Sequence, residues 1–151
     1  MKNEKLEVSA IKDGTVIDHI PADSLFKVIS ILRLESIKGM ITFGTNLESR
    51  RLGKKGIIKL SDVFFKDKDI NRIALIAPDA KLNIIRDFKV VEKNVVQVPD
   101  EIAGIAKCVN PMCITNHEKV ETKFEVSDKR EVKLRCHYCE KITDKEHMEI
   151  L

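Results

Sequence analysis

The stretch GTVIDHIP, residues 14–21, decides how the rest of the chain is read. Residues 15–20 set Val16, Ile17 and Ile20 among short polar side chains, which suits a strand, and Asp13-Gly14 supplies a turn before it. After Pro21 the apolar period changes. Leu25, Val28, Ile29 and Leu32 recur at helical spacing, with Asp23 or Ser24 placed to cap and Gly39 to end the segment. The same stretch raises a chemical question. Asp18 beside His19 suggests acid–base work, yet neighbours on a regular strand point to opposite faces and cannot pair by adjacency.

Working outward, residues 6–11, LEVSAI, alternate apolar and polar side chains as a half-buried strand does. Residues 40–47, MITFGTNL, read as another strand, and the polar run ESRRLGKKG, 48–56, as an exposed loop. In that loop Arg50, Arg51, Lys54 and Lys55 are taken as solvated charges with no binding role. Residues 57–60 form a further strand, and residues 67–76 a second helix with Ile70, Ile73 and Ala77 turned inward, stopped by Pro78-Asp79. Strands at 81–86 and 88–91 complete the unit. The order strand, helix, strand, strand, helix, strand, with an extra strand at an end, predicts an α+β fold. It would be a ferredoxin-like antiparallel sheet with two helices on one face. Another two-layer α+β sandwich is the alternative. Residues 94–105 are polar, contain Pro99 and read as a linker, which divides the chain into 1–93, 94–105 and 106–151. Beyond the linker, FEV, VKL and MEI are short strand-like runs in a small all-β unit.

With 151 residues and 43% hydrophobic side chains, the chain has material for a core. Its net charge of +3, from 27 basic and 24 acidic residues, is too small to predict nucleic-acid binding by bulk electrostatics. MKNEKLEVS contains no long apolar segment, and no run of about 18 apolar residues occurs anywhere. Neither a signal peptide nor a membrane contact is expected, and a cytoplasmic location follows by default.

All four cysteines fall in the last third, as Cys108-x4-Cys113 and Cys136-x2-Cys139, separated by 22 residues. Each hook brings two thiolates within reach of one cation, and four thiolates at about 2.3 Å make a closed, structural zinc site. A unit of about 45 residues has too little core to fold alone, so the metal supplies stability. Disulfides are disfavoured in a chain without an export signal, while iron remains chemically open. His137, inside the second hook, could compete as a ligand, and His117 and His147 read as surface residues. A nucleic-acid-binding zinc ribbon is the rival class, opposed by the scarcity of aromatics there, Phe124 and Tyr138 alone. An enzyme built on Asp18 and His19 lacks a serine or free cysteine nucleophile in a recognisable motif.

The residues VSAIKDGTVIDHIPA, LNIIRDFKVVEK, CVNPMCITN and CHYCEK, taken together, closely resemble the regulatory chains of aspartate carbamoyltransferase along residues 5–145. The resemblance implies a non-catalytic subunit in pyrimidine biosynthesis. Such a chain would dimerise through its first domain and bind CTP or ATP there. Its zinc domain would join it to the catalytic chain in an assembly of six catalytic and six regulatory chains. It further implies a nucleotide pocket formed by Val8, Ser9, Ala10, Ile11 and Lys12, by Val16, Asp18 and His19, by Lys59, and by Asn83, Ile85, Phe88, Val90 and Lys93. Asp18 would accept from ribose hydroxyls, His19 and Lys93 would face the triphosphate, and Lys59 would read base and sugar. A second nucleotide, UTP with magnesium, would lie near Leu6, His19 and Asn83. Asn110 and Lys141 would contact the catalytic chain.

Overall fold

The computed structural model describes residues 10–151. Its first sheet has five strands: β1 (Gly14–Pro21), β2 (Ile41–Ser49), β3 (Gly53–Ser61), β4 (Lys81–Arg86) and β5 (Lys89–Val95). They lie in the order β2-β3-β1-β4-β5, every neighbouring pair antiparallel. The first four follow the split βαβ order, and β5 is the extra strand beside β4. Helix α1 (Leu25–Ile31) connects β1 to β2, and α2 (Asp67–Ile70), continued by a 3-10 turn Asn71–Leu75, connects β3 to β4. Leu25, Val28 and Ile31 of α1 and Ile70 and Ile73 of the second helical segment join Ile17, Ile58, Leu60 and Leu82 of the sheet in one buried cluster. Both helical segments therefore cover the same face, as the spacing predicts.

Several local expectations need correction. The polar run 48–56 is largely a hairpin: Leu47 pairs with Lys55, Glu48 with Lys54 and Ser49 with Gly53, leaving only 50–52 as the turn. Its polarity arises because this part of the ribbon needs no apolar face, while the backbone ladder still forms. Gly56, read as a loop glycine, is a buried strand residue: a Cβ there would stand 2.9 Å from Leu25 Cδ1. Neither Asp23 nor Ser24 caps α1, and Ser24 Oγ instead contacts Asp23 Oδ1 at 3.2 Å. The second helix is mostly 3-10 turn. Of the strand read at 6–11, residues 6–9 lie outside the described residues, and Ala10 and Ile11 belong to no strand.

Gly14 is demanded by close approach. Its φ is +140° and a Cβ would lie 2.0 Å from the Leu60 carbonyl oxygen, so no other residue fits where β1 meets β3.

The second sheet runs β6 (Glu101–Ala103), β7 (Lys123–Asp128), β8 (Lys133–Cys136) and β9 (Ile142–Asp144), in that order and antiparallel throughout. Residues 101–103, read as linker, are thus an edge strand of the second sheet, with Ile102 buried. FEV lies in β7 and most of VKL in β8, but MEI makes only an isolated bridge, Ala106 to Ile150, while β9 has no counterpart among the expected strands. Ile102, Ile105, Phe124, Leu134 and Met148 continue the buried cluster of the first unit, so an apolar seam joins the two. Among the described residues, no helix is long and apolar enough to cross a membrane.

Candidate metal centre and candidate binding face

The two hooks close on one point. Cys108 Sγ and Cys139 Sγ are 3.6 Å apart, Cys113 Sγ and Cys136 Sγ 3.7 Å, and all four sulfurs lie within 4.8 Å of one another. Four sulfurs bound at about 2.3 Å to a tetrahedral cation stand about 3.8 Å apart, so the donors fit a single metal ion with no open position. Among the described residues this is the one such group of ligands, and no histidine enters it. His137, His117 and His147 are exposed, and His147 is paired with Asp144 through an Nδ1 to Oδ1 contact of 2.6 Å.

Local backbone geometry builds each hook. In the second, the Glu140 N–H donates to the Cys136 carbonyl and the Cys136 N–H to the Lys141 carbonyl, with Glu140 at a φ of 66° closing the turn. In the first, the Cys113 N–H donates to the Asn110 carbonyl, and the Met112 N–H to Asn110 Oδ1 at 3.0 Å. Thr115 Oγ1 donates to Cys113 Sγ at 3.3 Å. Burial pushes the Cys108 thiol up to about 12 and raises Cys136 as well. At Cys139 burial acts in the same direction, but hydrogen bonds from the Asn110 side chain, the Lys141 backbone and the neighbouring thiols outweigh it and hold that thiol at about 7. A cation entering the site has to displace the protons of Cys108 and Cys136. Asn110 and Lys141, expected at the partner surface, are thus also supports of the metal ligands.

The other candidate face lies on the opposite side of the first sheet from the helices. Register pairs Lys59 with Val16, Val16 with Asn83 and Asn83 with Lys93, and paired residues share a face. These four form one row across β3, β1, β4 and β5. A second row follows from Ile85 paired with both Gly14 and Val90. Val16 and Ile85 are buried yet stand outside the main apolar cluster, as their position on this face requires. Lys12 and Phe88 lie at the Gly14 end, where the Phe88 N–H donates to the Lys12 carbonyl, and Phe88 is 64% exposed at a φ of 65°. Ala10 is exposed and Ile11 half-buried, while Leu6, Val8 and Ser9 lie outside the described residues.

At the far end of β1 the question of Asp18 and His19 is answered by a bulge. The β1–β3 register shifts between Ile17 and Ile20, and His19 takes the left-handed conformation at a φ of 60°. The kink removes the regular alternation. The His19 N–H donates to Asp18 Oδ1 at 2.7 Å, and its Nδ1 comes within 3.8 Å of Asp18 Oδ2. The opposite-face expectation fails here because it assumes an unbulged strand. The Asp18 carboxylate also receives Lys55 Nζ, 2.9 Å from Oδ1. Lys55, left without a role by the sequence, is therefore part of this cluster; strand alternation through residues 53–61 is the signal that could have found it. Lys59 is buried, and that burial lowers its pKa against the raising effect of Asp18.

Fold and site define a class: a two-unit α+β protein that carries a tetrathiolate metal centre on a small β unit beside a ferredoxin-like sheet. Residues 6–97 match the family model of the aspartate carbamoyltransferase regulatory chain allosteric domain, and residues 100–149 that of its metal binding domain. The chain is 55% identical over 148 residues to the aspartate carbamoyltransferase regulatory chain of Bacteroides thetaiotaomicron, covering 98% of this chain and 97% of that one. It is 51% identical over 151 residues to that of Porphyromonas gingivalis, with 100% of both covered. Against that of Pyrococcus abyssi it is 52% identical over 146 residues, covering 95% of this chain and 96% of the other. The chain belongs to the family of aspartate carbamoyltransferase regulatory chains, and it is a regulatory, non-catalytic subunit.

Proposed function

We propose that the chain binds CTP or ATP on the outer face of its first sheet and, through a zinc-loaded second unit, joins catalytic trimers of aspartate carbamoyltransferase. The observation that carries this reading is the row Lys59, Val16, Asn83 and Lys93, with Asp18 and His19 at one end and Lys12, Ile85, Phe88 and Val90 at the other. From Gly14 to Asp18 the face extends about 13 Å, and from Lys59 to Lys93 about 14 Å, room for a nucleoside triphosphate. Cations suit phosphate, a carboxylate suits a ribose diol, and apolar side chains suit the base. Val8 and Ser9, outside the described residues, are assigned to the nucleotide by the family resemblance alone, as are Leu6, His19 and Asn83 to a second nucleotide, UTP with magnesium.

Residues 1–93 act in this reading as the effector unit and 106–151 as the metal unit, with 94–105 between them, its first residues ending β5 and residues 101–103 already paired into the second sheet. A nucleotide regulates only through its differential affinity for two states of the assembly, so signal has to cross the seam to the catalytic chain. Two copies pair through the first unit within the assembly of six catalytic and six regulatory chains. The exposed Phe26 and Phe43 rings, 5.8 Å apart, and exposed Met40 beside edge strand β2 support that pairing. Exposed Val109, Met112, Ile114 and Tyr138 around the hooks, with Asn110 and Lys141, support docking of the catalytic chain there. Zinc is favoured by the thiolate set and its closed geometry.

The test is calorimetric titration of the metal-loaded chain with CTP and with ATP, alongside Lys59→Ala. Saturable binding weakened about tenfold or more by the substitution is expected, the loss of one charge-assisted hydrogen bond. Unchanged binding by Lys59→Ala would move the site off this face.

A further inference from the structure

The two hooks are not equally self-supporting. The x2 hook closes through its own backbone, whereas the x4 hook is a longer loop with more conformations to lose before Cys108 and Cys113 converge. One side chain from outside the loop spans it. Asn116 Nδ2 donates to the Asn110 carbonyl at 2.7 Å and to the Cys108 carbonyl at 3.1 Å. Both partners are acceptors only, so the amide nitrogen, not its oxygen, has to face them. Its two protons are thereby both engaged. Asn116 itself is held by the 3-10 turn Ile114–Asn116, whose Asn116 N–H donates to the Cys113 carbonyl at 2.9 Å. A single residue thus links the first ligand, the middle of the loop and the second ligand.

We propose that Asn116 is a positioning residue for the metal, its amide holding the first hook in the ligating conformation before the cation arrives. The proposal rests on the reading of the four thiols as a metal centre. It predicts that the brace acts on metal affinity and release, because loss of outer support to ligands costs typically 10–100-fold in affinity. It also predicts that neither hydrogen of the amide can be replaced without loss: Asn116→Asp keeps size and shape but sets oxygens against two carbonyls, and Asn116→Ala leaves both carbonyls without that donor.

The experiment uses the full-length chain, as wild type, Asn116→Ala and Asn116→Asp, each loaded with zinc and separately with cobalt(II). Zinc affinity is measured by competition with a chromophoric chelator at constant pH, and the cobalt proteins by their ligand-field spectra. Expected are a tetrahedral four-sulfur spectrum for wild type, zinc affinity about 10–100-fold weaker in both variants, with the aspartate variant the weaker, and faster zinc transfer to the chelator. Thr122→Val is the control, since it removes a buried side chain to backbone hydrogen bond, Thr122 Oγ1 to the Ala106 carbonyl at 2.7 Å, without touching the loop. Because folding of this unit and metal binding are coupled, a purely structural role would weaken zinc binding in the Asn116 variants no more than Thr122→Val does for the same fall in melting temperature, and would overturn the proposal. A wild-type chain that takes up neither zinc nor cobalt would overturn the metal reading itself, a different failure.

Discussion

Single residues in this chain carry conformational demands that their chemical type announces only in part. Gly14 and Gly56 look alike in sequence, as punctuation around strands. The first is needed because Leu60 backbone occupies the place of a Cβ, the second because Leu25 packs down on β3. Gly56→Val would force a branched side chain against a fully buried leucine. It should lower stability by about 1–3 kcal/mol, read from the denaturant midpoint at unchanged slope, with the metal centre intact. His19 shows the limit of residue-level reading. Its identity beside Asp18 is plain in the sequence, but its φ of 60° is set by the mismatch between β1 and β3 registers, which no local pattern encodes.

At the scale of elements, the hairpin of β2 and β3 and the two hooks behave oppositely. The hairpin was obscured because strand detection relies on an apolar face, and residues 48–55 have none to bury; their pairing is fixed by the register of Leu47 with Lys55. The hooks were legible because thiolate spacing itself is the chemistry. The second sheet depends on them, since its strands are short and Phe124 and Leu134 are among its few large buried side chains. Chelating the metal should therefore unfold the second unit, seen as loss of amide protection over residues 101–150, while the first sheet keeps its protection. The same element sets a pH dependence. Cys108, pushed up to about 12 by burial, and Cys136, raised for the same reason, bind protons that the cation has to displace. Metal affinity should accordingly rise as pH rises from 6 to 8 and fall on acidification, with proton release measurable on zinc addition in weak buffer.

For the whole molecule, the decisive feature is the apolar seam that joins Ile31 and Leu34 of the first unit to Ile102, Ile105 and Met148 of the second in one cluster. It joins the unit that carries the proposed effector face to the unit that carries the proposed partner face. The two should still be separable in assembly experiments. Removing the metal should abolish association with the catalytic chain, whereas Lys59→Ala should assemble and lose only nucleotide response, both read by sedimentation of the mixed chains. Sequence alone determined the α+β class, the strand and helix order from residue 14 to the end of the first unit, and the four cysteines that come together as candidate metal ligands, because periodicity and ligand spacing are properties of neighbouring residues. The resemblance to the family drew its force from the same local stretches. Tertiary structure decided the extended hairpin, the bulge that brings His19 to Asp18, the recruitment of Lys55, the strand at 101–103 and the Asn116 brace. Each of these rests on a partner distant in the chain or on the register between strands. Such contacts exist only after the backbone has folded, when close packing and the need to satisfy backbone hydrogen bonds select one arrangement.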